Sequence, residues 1–113
     1  GREWGKTDAE VDVMWTELKK FFPSDVIIHG AARGADALAG AIAAELGLAI
    51  EAHPADWRRY GRSAGMIRNQ QMLDSGIDLV IAFHNALSES KGTADTVRRA
   101  RTANIEVKVI RVR

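Results

Sequence analysis

The sequence predicts an open α/β sheet, mostly parallel, with helices on both faces, and three observations carry that prediction. Short apolar runs at 25–29, 48–53, 78–83 and 105–112 alternate with stretches whose apolar residues recur at helical spacing. Strands separated by helices imply parallel βαβ units with right-handed crossovers. The run Asp78-Leu79-Val80-Ile81-Ala82-Phe83 is continuously apolar after its first residue, as in strands buried on both faces. With 113 residues, 46% of them hydrophobic and 27% charged, the chain has the material for one globular domain with a real core.

Each element has its own signal. Thr7-Asp8-Ala9-Glu10 reads as a capping box, and Val11, Met14, Trp15, Leu18 and Phe22 follow at helical spacing until Pro23, predicting a helix over 8–22. A buried strand over 25–29 follows. Ala35, Leu38, Ala39, Ile42, Ala43 and Leu46 then trace one helical stripe that Gly47 ends, and its small alanines allow close approach to a sheet. Pro54 cuts off the strand over 48–53. Helices are expected over 63–75, closed by Gly76, and over 93–103, with Ala94, Val97 and Ala100 inward. Residues 105–112 alternate and close the chain as a strand.

Composition excludes several classes. Sixteen basic and fifteen acidic residues leave a net charge of +1, which argues against nucleic acid and acidic membrane as partners. There is no cysteine, so disulfides, thiolate catalysis and zinc-thiolate sites are out. No apolar run approaches a membrane span of about 18 residues and no signal-peptide pattern is present, so the expected location is cytoplasmic. His29, His53 and His84 fall near predicted strand ends, but no HxH or HExxH spacing supports a metal. Ser88 and Ser90 have no triad signature.

In an open α/β sheet the ligand crevice lies at the carboxyl ends of the strands, and three polar, glycine-bearing segments fall there. The first is His29-Gly30-Ala31-Ala32-Arg33-Gly34-Ala35-Asp36, a strand-to-helix turn. Unpaired N–H groups at the opening helix favour an anion, Gly30 and Gly34 permit close backbone approach, Arg33 adds a fork suited to phosphate, and Asp36 suits a helix N-terminus. The second, 54–69, interleaves Trp57 and Tyr60 with Arg58, Arg59, Arg62 and Arg68, cationic forks beside flat aromatic faces. Gly61 and Gly65 bracket a turn there, and Arg68 and Asn69 fall about one helical turn on. Trp57, Arg58 and Arg59 read more readily as core-edge cover and solvated charge, which leaves Arg62, Gly65, Arg68 and Asn69 as the better candidates. In the third, Ser90-Lys91-Gly92-Thr93, Gly92 allows a tight turn and Thr93 can cap the next helix or bond a ligand oxygen.

Taken in order, HGAARGADALA, PADWRRYGRSAGMIRNQQM and DLVIAFHNALSESKGTADTVRRA resemble, over nearly the whole chain, the small SLOG domains related to the YspA and YpsA group. The resemblance implies a three-layer Rossmann-like open sheet. It also implies a nucleotide or nucleotide-derived ligand at the C-terminal rim, held by a sensor or ligand-binding domain without a cofactor. The wider superfamily includes phosphoribohydrolases and a single-stranded-DNA-binding protein, so N-glycosidic hydrolysis and nucleic-acid binding through Arg58, Arg59, Arg98, Arg99 and Arg101 stand as alternatives. In the hydrolase branch the Gly-Thr turn is followed by two glutamates, of which the first aligns with Asp95 and the second with Thr96. Asp95 is therefore the catalytic candidate, at shorter reach and without its neighbour.

Gly1 and Arg2 resemble the end of the Gly-Gly-Arg turn that follows the first strand of such domains, which adds them to the ligand-binding candidates. The expectation is one domain over 1–113 whose usual first strand would precede Gly1. A central slot would then be filled by the C-terminal strand, a partner chain or further residues. The superfamily resemblance also implies homodimers, and Trp15, Phe21 and Phe22 offer apolar surface, although aromatics on a first helix equally serve a core.

Overall fold

The computed structural model describes residues 7–30, 34–85 and 91–112. In chain order they form α1 (Asp8–Leu18), β1 (Val26–His29), α2 (Ala35–Glu45), β2 (Ala49–Ala52), α3 (Trp57–Tyr60), a 3-10 turn (Gly61–Ser63), α4 (Ala64–Asp74), β3 (Leu79–Asn85), α5 (Lys91–Thr102) and β4 (Glu106–Val112).

The capping box at the head of α1 is present: the Thr7 hydroxyl accepts from the Glu10 N–H at 3.2 Å, and the Glu10 carboxylate accepts from the Thr7 N–H at 3.2 Å. The helix ends at Leu18 rather than at the expected 22. Asp25 accepts the Phe22 N–H at 2.8 Å, and this turn draws the chain off the helical path, leaving Phe22 71% exposed instead of on the apolar stripe. Gly47, at φ +70°, stops α2 as the sequence indicates. Helix α3 was not foreseen. Asp56 starts it by accepting the Arg59 N–H at 3.1 Å, the cap that Asp offers a short helix.

The α/β class holds, with all pairing parallel, but the lateral arrangement differs from the single open sheet expected. The described strands form two two-stranded sheets, β1 with β2 and β3 with β4. Alternation of elements along the chain fixes strand direction and crossover, not which edges meet. The C-terminal strand, one proposed occupant of a central slot, pairs with β3 and not with β1.

The two sheets nonetheless share one core. Met14 and Leu18 of α1 and Ile42 of α2 are its fully buried centre, and Ile27 of β1 and Phe83 of β3 both pack against it, with Trp15, Phe21 and Leu38. This cluster places Trp15 and Phe21 in core cover. A second tie joins α1 to β4, where Lys108 donates to Glu17 at 2.9 Å while Lys20 holds the other carboxylate oxygen at 3.0 Å. Helices α4 and α5 pack on each other, and α5 packs on β3 and β4.

Met14 is 0% exposed, so Met14→Ala removes a fully packed side chain and lowers unfolding stability by about 2–5 kcal/mol. Thr7→Ala leaves the Glu10 N–H without its acceptor and costs about 1 kcal/mol. Urea unfolding followed by circular dichroism measures both, and an order reversed between the two variants contradicts the core and cap assignments.

Candidate functional site

A continuous polar chain runs across the three glycine-bearing segments. It starts at α2, where the Asp36 carboxylate accepts the Gly30 N–H at 3.2 Å. The Gly30 carbonyl accepts from Arg68 Nη1 on α4, and Arg68 Nε donates to Asn69 Oδ1 at 3.0 Å. Asn69 Nδ2 in turn donates to Asp95 Oδ2 at 3.1 Å and reaches the Gly92 carbonyl at 3.4 Å, both on α5. Beyond it Arg99 Nε donates to Asp95 Oδ2 at 2.8 Å, Arg98 donates to Asp95 Oδ1, and Arg99 Nη1 donates to Gln70 Oε1 at 3.0 Å.

Local sequence explains each contributor. Gly34 is the N-cap of α2 at φ +74° and ψ −123°, a backbone state that costs a side-chain-bearing residue, and it supplies no side-chain cap to the first-turn N–H groups. Ala35 and Asp36 open the helix there. On α4, Gly65, Arg68 and Asn69 lie at helical spacing on one face. Gly65 lies beside Trp57 and Arg68: a Cβ there would stand 3.7 Å from the indole edge and 3.9 Å from Arg68 Nη2, ordinary contact distances. On α5, Asp95, Arg98 and Arg99 are i, i+3 and i+4 neighbours, so two cations meet one carboxylate on the same helix.

Asp95 and Asn69 are 7% and 4% exposed. Burial alone raises the Asp95 pKa. The hydrogen bonds from Arg99 and Asn69, with the charges of Arg99 and Arg98, outweigh that effect and hold it below the ordinary carboxylate range. Both carboxylate oxygens thus already carry protein donors. Glu17 is likewise lowered, chiefly by its hydrogen bond from Lys108.

Several candidates fall in other surroundings. Trp57 is 61% exposed, and Arg58, Arg59 and Arg62 are exposed, with Arg59 stacked over the Tyr60 ring at 5.1 Å. Lys91 and Gly92 are exposed, and α5 begins at Lys91, so Thr93 is its third residue and not the N-cap expected. The Gly92 carbonyl accepts from the Thr96 hydroxyl at 3.1 Å, an ordinary intrahelical back-bond. Gly1, Arg2 and Arg33, with Ser88 and Ser90, lie outside the described residues. His53 Nε2 stands 3.5 Å from Glu51 Oε2 yet has no hydrogen-bond partner, which makes this a loose pair. Among the described residues no three metal-capable side chains gather.

Arg99 and Gln70 were not foreseen as parts of this network. The Asp95 to Arg99 spacing carried a signal for the first, because an acid four residues before a base on a helix pairs with it. The contact of Gln70 with Arg99, between two helices, has no local signature. Two hollows of about 300 and 480 Å³ border the α5 end of this network, both lined by Gln70 and Arg99; the smaller also touches Arg98, and the larger extends along Met66, Ile67 and Asp74 of α4. No helix among the described residues is long and apolar enough to cross a membrane.

Comparison with known proteins gives two matches. The model of the YspA, cpYpsA-related SLOG family matches residues 1–60. The gene 61 protein of Mycobacterium phage D29 is 35% identical over 111 residues, covering 94% of this chain and 87% of that protein. No solved structure matches.

Two measurements check the network. Asn69→Ala leaves buried Asp95 short of one donor and lowers stability by about 1–3 kcal/mol, read by urea unfolding. A carboxylate whose folded pKa lies below its unfolded value adds stability that is fully present above about pH 4 and lost as pH falls through the folded pKa. Stability of the wild type therefore declines on acidification below about pH 4. Asp95→Asn, which has no proton to take up, declines less steeply there, retaining the share due to Glu17. Equal acid slopes in the two proteins contradict the Asp95 assignment.

Proposed function

The chain belongs to the YspA, cpYpsA-related SLOG family, and from that premise we propose that it binds a nucleotide or nucleotide-derived ligand at the rim where its glycine-bearing segments meet. The observation that carries this reading is the hydrogen-bonded chain from Asp36 through Gly30, Arg68 and Asn69 to Asp95, which draws three distant segments to one side of the molecule. A phosphate is suited to the first turn of α2, whose opening backbone N–H groups receive no side-chain cap from Gly34. A base or ribose is suited to the exposed Trp57 face, and exposed Arg62 carries a fork that meets phosphate oxygens in pairs.

Binding is favoured over hydrolysis by the state of Asp95. A general base for water works best with a pKa near the operating pH, whereas the three donors on Asp95 hold its pKa below the ordinary carboxylate range and leave it a weak base. In this reading Asp95 organises the site, and turnover does not depend on it.

Equilibrium dialysis against a panel of nucleotides, ADP-ribose and NAD, with mass spectrometry of retained material and products, tests the proposal. One compound is retained without new products, and Trp57→Ala and Arg62→Ala each weaken its binding by about tenfold. Retention of no compound by the wild type overturns the reading. Release of a free base that Asp95→Asn abolishes moves the assignment to a hydrolase.

A further inference from the structure

Gly30 is constrained by something other than its own torsion angles. Its φ is not positive, unlike that of Gly34, so its backbone does not demand glycine. The space beside it is taken by the Arg68 side chain, which a Cβ at this position would displace. A Cβ on Gly30 would lie 2.7 Å from Arg68 Nη1 and 2.8 Å from both Cδ and Cζ, so the stem and head of Arg68 occupy the volume that any side chain would need. Arg68 is half-buried there, and its Nη1 donates to the Gly30 carbonyl.

The other end of the same guanidinium fixes Asn69. Arg68 Nε donates to Asn69 Oδ1, which leaves Nδ2 as the group facing Asp95 Oδ2. The amide has one workable orientation: turned over, it would set an NH2 group against the guanidinium and a carbonyl oxygen against the carboxylate. Both backbone groups of Gly30 are used as well, the N–H by Asp36 and the carbonyl by Arg68.

We propose that Arg68 is a positioning residue that couples Gly30, at the end of β1, to the first turns of α5 through the amide of Asn69. Its Nε and Nη1 donate to acceptors within the protein, so it acts by setting the position of Gly30 relative to Asn69 and Asp95. Displacement of the Gly30 carbonyl moves the guanidinium, turns the Asn69 amide and changes the donor set of Asp95. Lysine does not substitute, because an ammonium lacks the planar fork that reaches both acceptors from one position. The inference concerns the free protein and stands apart from the identity of any ligand.

The test is a pair of NMR perturbation experiments on the ligand-free full chain. Asp36→Asn weakens the acceptor of the Gly30 N–H, and the Asn69 side-chain NH2 resonances shift in response. Combined with Arg68→Lys, the same Asp36→Asn change no longer moves those resonances. In the reverse direction, Asn69→Ala shifts the Gly30 amide and speeds its hydrogen exchange by roughly tenfold. Asn69 resonances indifferent to Asp36→Asn in the Arg68 protein, or equally responsive with lysine at 68, overturn the coupling. Should Arg68→Lys fail to fold, Gly30→Ala, which evicts the guanidinium while keeping its charge, takes its place and must abolish the same response.

Discussion

The buried carboxylate of Asp95 is the constraint around which the second half of the molecule is organised. Removing an ion from water costs several kcal/mol unless donors replace the lost hydration. Here three side chains supply them: Asn69 from α4, and Arg98 and Arg99 from the helix that carries Asp95. Because one donor comes from a different helix, sliding or rotating α4 against α5 breaks the Asn69 bond to a buried carboxylate and the Gln70 bond to Arg99, while Arg98 and Arg99 keep the charge paired within α5. Ordinary apolar contact between two helices would tolerate such motion far better.

That fixed helix pair then governs the first half of the molecule through Arg68. A long side chain spans from α4 to the end of β1, where its guanidinium lies beside Gly30 and donates to the Gly30 carbonyl. A second and separate tie, Glu17 to Lys108, joins α1 to β4. The two sheets share no described ladder bonds, and their union rests on these polar ties and on the cluster around Met14, Leu18 and Ile42 to which Ile27 and Phe83 both contribute. A nucleotide-binding reading draws support from the same arrangement: the helix pair sets the spacing of the segments, while Trp57 and Arg62 beside it remain exposed.

Local chemistry was legible where one segment suffices to decide it. Thr7 and Glu10 specify a capping box because both partners sit in one helical turn, and Gly47 stops α2 because only glycine adopts its torsion cheaply. The parallel α/β class follows from alternating periodicity. The end of α1 was misplaced because Asp25 captures the Phe22 N–H, a competitor to the helix that apolar spacing does not register. Helix α3 escaped notice for its length: four residues show no periodicity, and only the cap at Asp56 announces it.

Residue identity by itself therefore determined the element types, the motif-bearing segments and the pairing of Asp95 with Arg99, all set by torsional preference and by neighbours within one helical turn. Tertiary structure alone decided that the strands pair as two parallel couples, that Asn69 meets Asp95, and that the Arg68 side chain lies in the space beside Gly30. Those outcomes depend on which surfaces meet across tens of residues, and a meeting of that kind leaves no periodicity in the chain.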